Sequence, residues 1–466
     1  MEIGEGNNMT ETLDRISQNV DRYAPFFSEY ERLKMQDAPL WLHQRRKSAI
    51  GRFTELGIPV TRDLSFPLKE DWLYTNLAPL AKSTFEADLS GGDIILDQEA
   101  LEPYGFGQDD WHVLVFVNGT FSASMSHISD SPDGVIIQPL SQALIENPDL
   151  VQPHLAQYAD FENIGLTALN TALIRDGLFV YVPDGKMLET PVHVQYVSTE
   201  WESPTASHPR TLIVAGNGSQ ATVIESYTGL TDQSYLTNAV TEIAVGRDGN
   251  VDHCRINREG GQAYHISTTQ LHLQENSHIS TFNMSMGGAL TRNDTNAQLD
   301  GHHAVVRMNG LYLVTGDQQV DNHTAIHHAE PNCDSYEVYK GILDGNARAV
   351  FNGKVFVHQD AQETDAKQLN KNLLLSPDAL IHTKPQLEIY ADQVKCTHGA
   401  TVGQLDEDQI FYLRTRGLSR NSACHLLTYG FAADLIRRLK VEAVRNQLDP
   451  LLETTIQQIS MAQSQD

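Results

Sequence analysis

Hydrophobic positions recur at helical spacing near both ends of the chain and at strand spacing through its middle. Leu13, Ile16 and Val20 fall at steps of three and four, and Leu42, Ala49, Phe53 and Leu56 continue the pattern in a second segment closed by Gly57. Helices are therefore expected to dominate residues 10–57. The basic run His43 to Arg52 reads as the solvated face of such a helix, opposite Trp41, Leu42 and Phe53. Further on, WHVLVFV runs into Asn118-Gly119 and then TFSASM, which predicts a tight hairpin inside a small mixed region ending near residue 155.

From Leu166 the period becomes two. The segments 212–225, 242–256, 269–284 and 297–314 each read strand, polar turn, strand, and the turn residues Gly218, Gly249, Ser277 and Gly301 stand 31, 28 and 24 residues apart. Similar units continue through 347–357, 368–375 and 384–396. A parallel β-helix fits this repetition, with Ile213, Ile243, Leu273 and Val305 turned into a continuous core and outward positions left polar. An antiparallel sandwich built from hairpins at the same turns fits the periodicity as well. After Gly403 the helical period returns. Asp406, Glu407 and Asp408 sit at the start of one predicted helix, Arg414 and Arg416 at its end, and Gly417 at its C-cap. Ser419 offers an N-cap to a second helix whose apolar face carries Ala423, Leu426, Leu427 and Tyr429. The chain thus divides into an N-terminal helical and mixed region (1–160), a mainly β core (161–403) and a C-terminal helical region (404–466).

Composition narrows the function classes. The 466 residues carry 33 Lys and Arg against 60 Asp and Glu, a formal charge of -27, which disfavours nucleic acid and anionic membrane partners. Apolar runs are far too short to cross a bilayer, and the acidic start MEIGEGNNMTETLD resembles neither a secretory signal nor a transit peptide, so a cytoplasmic location is expected. Cys254, Cys333, Cys396 and Cys424 lie 79, 63 and 28 residues apart, which is neither a disulfide framework nor the local spacing of a permanent metal cluster.

The densest histidine groups, His302-His303 and His323, His327 and His328, lack the glutamate of an HExxH motif and read as outward-facing strand residues. Many β-helix proteins are polysaccharide lyases or hydrolases using paired carboxylates, and this enzyme class is the rival reading; the non-secretory start argues against it. In KCTHGATVG, a thiol and an imidazole two residues apart would face the same side of a strand. Cys396 and His398 could then form half of a site for ferrous iron, or equally a buried thiol beside a structural histidine.

Several segments together carry a family resemblance: PLKEDWLYTNLAPL (67–80), LVFVNGTFS (114–122), LNTALIRDGLFVYVPDG (169–185), HHAEPNCDSYEVYKGILDGNARAVFNGKVFV (327–357) and KCTHGATVGQLDEDQIFYLRTRGLS (395–419). They resemble the SufB/SufD proteins of the SUF iron–sulfur cluster assembly system. The resemblance implies a right-handed parallel β-helix flanked by helical domains, acting as a non-enzymatic scaffold. It implies pairing of that β-helix with the paralogue SufB, and binding of the ATPase SufC by the C-terminal helices. By position, 409–418 would face SufC, with Phe411, Tyr412 and Leu413 as apolar anchors and Arg414 as a polar one. His398 matches the family histidine implicated in building the nascent cluster or acquiring its iron, and Cys396 accompanies it only by adjacency. No permanent cofactor is implied, only iron or a cluster held transiently with SufB. Ala379 stands where SufB carries a cysteine, which favours the SufD side of the family over a SufB-like scaffold. A homodimer in the absence of partners stays open.

Overall fold

The computed structural model describes residues 27–28, 38–59, 71–83, 85, 96–108 and 110–462. The predicted helix around Leu13, Ile16 and Val20 lies outside the described residues. The middle of the chain winds into a parallel β-solenoid made of two facing sheets. One sheet runs in the order Thr120–His127, His112–Val117, Val192–Ser198, Gln220–Gly229, Asn250–Arg258, His278–Met286, Val305–Val314, Asp334–Leu343, Thr364–Leu374 and Val394–Gly403. The other runs Ile136–Pro139, Leu178–Val182, Arg210–Ala215, Leu236–Val245, Tyr264–Leu273, Leu290–Leu299, Gln319–His328, Arg348–Val357 and Leu380–Ile389. From Leu178 onward successive strands alternate between the sheets and pair in parallel with the strand one coil away, which removes the sandwich alternative. The Asn118-Gly119 hairpin forms as expected, both residues having positive φ (49° and 80°), and its first strand pairs in parallel with Val192–Ser198.

The coil repeat is set by backbone geometry at one turn. Gln220, Asn250, His278, Val305, Asp334, Asp365 and Lys395 share one ladder, in steps of 30, 28, 27, 29, 31 and 30 residues. Two residues before each of the first six rungs, from Gly218 through Asp248, Asn276, His303 and Asn332 to Glu363, the chain adopts a left-handed conformation with φ between 56° and 64°. Mostly short polar or glycine side chains fill it, because they tolerate this region best. Gly249, Ser277 and Gly301 occupy other turn positions, which explains the drift in the spacing read from them.

Two sequence expectations about sidedness are corrected. Ile213, Ile243 and Leu273 face the interior, but Val306 takes the place expected for Val305, a slip of one residue. Nor are the outward positions uniformly polar. Helices α1 (Leu40–Leu56) and α2 (Gly165–Ala172) belong to the N-terminal layer over the second sheet, burying Leu212, Val214, Leu236 and Ile266. At the other end of the chain are α3 (Glu407–Thr415), α4 (Arg420–Ile436) and α5 (Glu442–Ala462); α4 and α5 cover Ile224, Ile256, Phe282, Met284 and Leu311 on the first sheet. Sheet faces covered on both sides lose the hydrophobic-in, polar-out alternation.

Conversely, part of the interior is polar. Glu225 accepts from Thr241 Oγ1 at 2.9 Å and lies 3.2 Å from both His253 Nε2 and Arg255 Nη2, all of them buried. Burial works to raise the Glu225 pKa, but the hydrogen bond from His253 and the Arg255 charge outweigh it and hold the carboxyl down at about 2. The basic run on α1 is a solvated face only in part, with Gln44, Lys47, Ser48 and Gly51 exposed. Arg46 is buried with its guanidinium donating to Ile174 O, and Arg45 Nη1 donates to Ala156 O at 2.7 Å, so these cations dock the helix.

Candidate functional site

The two ends of the solenoid differ. At the first coil the antiparallel strands Thr120–His127 and Ile136–Pro139 flank the parallel ladders. At the last coil, Leu380–Ile389 and Val394–Gly403 each pair on one side only, and no described strand satisfies their outer edges. Leu380, Ile389, Tyr390 and Val402 are exposed there. Unpaired backbone groups combined with exposed apolar side chains leave this end open to pairing.

Cys396 and His398 lie on the strand that forms this rim. Their ladder partners are Ala366 and Gln368, both buried in the interior, so thiol and imidazole share the face that continues the lumen. Cys396 is half-buried against the core, and burial pushes its thiol up, with Asp365 adding to the rise. His398, two residues further on, is exposed because no coil lies above it. At a strand rise of about 3.3 Å per residue the two Cα atoms are about 7 Å apart, within the reach of two ligands to one ion. Among the described residues no group of three or more His, Cys, Asp or Glu is placed to hold a metal ion. The pair is thus at most half of a coordination sphere.

Of the histidines read as outward-facing strand residues, His323 and His327 are so placed and His302, His303 and His328 are not. His302 and His303 lie on a turn, not a strand, and His328 points inward, fully buried, with Nε2 at 2.9 Å from Ser335 Oγ. Burial lowers its pKa to about 4. His327 does face outward and stacks on Phe356 with ring centroids 4.5 Å apart. On the same outer face, His323 Nε2 lies 3.0 Å from Asp321, whose other carboxylate oxygen meets Arg292 Nη1 at 2.7 Å. Burial would raise Asp321, yet Arg292 and His323 hold its carboxyl well below the usual range, a poor state for a general acid in glycoside chemistry.

The C-terminal helices form from the capping signals in the sequence. The Asp406 side chain accepts from Asp408 N at 2.9 Å at the start of α3, Gly417 follows its end with φ 96°, and Ser419 Oγ accepts from Ser422 N at 3.1 Å to open α4. Ile410 is buried, but Phe411 and Tyr412 are 67% and 57% exposed, with the Arg416 guanidinium 5.2 Å from the Tyr412 ring centroid. Leu413 is half-buried and Arg414 exposed. On α4, Leu426 is exposed instead of facing inward as expected, while Ala432, Leu435 and Ile436 pack onto the sheet. Lys340 fastens α4 to the solenoid: its ammonium donates to Phe431 O at 2.7 Å and pairs with Asp434.

Comparison with known proteins places the chain in a family. Residues 196–431 match the SufBD core domain of the SUF system for FeS cluster assembly, and residues 17–194 match the SufBD protein N-terminal region. An iron-sulfur cluster assembly SufBD family protein of Synechocystis is 34% identical over 87% of this chain and 89% of its own length. The iron-sulfur cluster assembly protein SufD of Escherichia coli is 32% identical over 81% of this chain and 86% of its own, and SufD of Bacillus subtilis 28% over 93% and 97%. With both family regions matched and similarity spanning most of the molecule, the chain belongs to the SufB/SufD family of iron–sulfur cluster assembly proteins and is SufD-like within it.

Proposed function

We propose that the chain is the SufD-type member of a scaffold with SufB and the ATPase SufC, and that nascent clusters are built where its open solenoid end meets SufB. The observation that carries this reading is the exposure of His398 on the lumen-side face of the last, unpaired coil. A docking coil from SufB would satisfy the strand edges, cover Leu380, Ile389 and Val402, and enclose the imidazole in a shared site. Iron and sulfide are the cargo. Imidazole nitrogen suits iron, and Cys396 supplies a softer second ligand once deprotonated. The ATPase contributes by mass action on conformation: if its ATP-bound dimer prefers a rearranged SufB–SufD pair by about 1–3 kcal/mol, hydrolysis opens and closes the shared site. This scaffold role is non-enzymatic, and the acidic surface suits a cytoplasmic protein that avoids nucleic acid and membranes.

Anaerobic reconstitution with iron and sulfide tests the reading. The purified chain alone should give little cluster absorbance and the chain with SufB a clear signal; equal signals with and without SufB would overturn it. Phe411 and Tyr412 form the SufC-facing patch in the same proposal. Phe411→Ala or Tyr412→Ala should each weaken SufC capture by about 2 kcal/mol, roughly thirty-fold, in a titration with purified SufC, with helical circular dichroism unchanged. Unaltered affinity in both variants would move the SufC surface elsewhere.

A further inference from the structure

The interior of the last coils carries a polar column that ends at the rim. Glu337, Gln368 and His398 occupy consecutive rungs of one ladder, with strands about 4.8 Å apart. Glu337 and Gln368 are buried, and Gln368 Nε2 donates to Glu337 Oε2 at 2.7 Å. The Gln368 side chain lies against Gly353 of the facing strand, where a Cβ would come within 2.3 Å of Nε2. A glycine there is what lets the amide cross the lumen. Among the described residues the carbonyl oxygen Gln368 Oε1 is buried without a hydrogen-bond partner. A buried acceptor left open costs about 1–3 kcal/mol, so it calls for a donor supplied in another state.

We propose that Gln368 is the positioning residue for His398: when the imidazole binds metal through one ring nitrogen, its other N–H donates to Gln368 Oε1, and Glu337 fixes the amide in the orientation that offers this oxygen. The inference rests on the reading of His398 as a ligand. Metal-bound imidazoles regularly donate their free N–H to a carbonyl or carboxylate, which fixes the ring and raises its basicity, and loss of that partner weakens binding 10- to 100-fold. Glu337 suits its part because an ionised carboxylate only accepts, which holds the amide NH2 toward it and the carbonyl away. Burial pushes its carboxyl up to about 7 against the hydrogen bond from Gln368, so a pH above that value favours the accepting, ionised form.

The test is an anaerobic titration at pH 8 of the full chain mixed with SufB, using Co2+ as a visible probe and His398→Ala as the reference. Gln368→Met keeps the volume and removes the acceptor; it should weaken the His398-dependent absorption signal at least ten-fold. The exchange Glu337→Gln with Gln368→Glu places a carboxylate under the imidazole, and it should bind Co2+ at least as tightly as the natural chain. Unchanged affinity in Gln368→Met, or failure of the exchanged pair to restore binding, would overturn the positioning role while leaving His398 as ligand. A signal that survives His398→Ala would instead remove the ligand itself, and the inference with it. Thermal unfolding of each variant shows whether loss of binding is loss of fold.

Discussion

Replacing His398 with alanine is expected to abolish cluster formation while leaving the fold and the assembled complex in place. The ring is exposed and the strand beneath it is held by backbone pairing with Thr364–Leu374, so truncation removes no packing and should change stability by about 0.5 kcal/mol or less. Docking of a partner depends on the whole rim, including Leu380, Ile389, Tyr390 and Val402, and so survives loss of one polar side chain. What disappears is a nitrogen ligand for iron. Cluster absorbance on anaerobic reconstitution with SufB should fall to the level of the chain alone, and gel filtration should still show the complex. His398→Cys should recover part of the signal, since thiolate also binds iron. Cys396→Ser should have the smaller effect of the two site changes, because burial disfavours the thiolate. Undiminished maturation by the alanine variant would withdraw His398 from the site.

The coil repeat was legible in the sequence because polar turns punctuate the strands, although of the left-handed positions that set it only Gly218 was among the turn residues read, and the sandwich stayed open until the strand pairing was known. A left-handed position filled by Gly218, Asp248, Asn276, His303 and Asn332 marks each coil whatever the strands carry. Sidedness was less legible. Alternation identifies an interior only when inside means apolar and outside means wet, and here both conditions fail. Glu225, His253 and Arg255 satisfy one another inside, while Phe282, Met284 and Leu311 lie outside under α4 and α5. The slip from Val305 to Val306 follows from that ambiguity. Arg46 shows the same limit at a helix, since no local pattern announces that a basic run will dock on the distant carbonyl of Ile174. At the candidate site, the spacing of Cys396 and His398 gave their common face, but the open rim above them depends on where the last coil ends. Glu337 and Gln368 were missed altogether. Their signal was present, for 337, 368 and 398 are 31 and 30 apart, the coil repeat itself. It becomes readable only after the ladder register is known.

The largest stability effect is expected far from the rim, at Glu242. This carboxylate is fully buried on the outer face of the second sheet. Its Oε2 accepts from Arg210 Nη2 at 2.6 Å and from Ala156 N at 2.8 Å, while Oε1 accepts from Tyr158 N at 2.8 Å and Ala159 N at 2.9 Å. Arg210, also buried, spans from Glu242 to Asn170 on α2 at 3.0 Å. One side chain therefore ties a strand, a connecting segment and a helix together. Glu242→Ala strands the guanidinium without its counter-charge and leaves three backbone donors open, a combination that should cost about 3–5 kcal/mol or more. Against a typical total of about 5–15 kcal/mol, that is enough to lower the urea midpoint steeply or prevent folding at 37 °C. Glu242→Gln should cost less, because the amide oxygen can still accept from the backbone. Arg210→Met combined with Glu242→Gln should be less destabilising than the two single changes added together, by about 1–3 kcal/mol, since no unpaired charge is left behind. Urea unfolding of the four proteins measures this coupling directly. Strict additivity would mean that the ion pair is a bystander and that the backbone hydrogen bonds account for what Glu242 contributes.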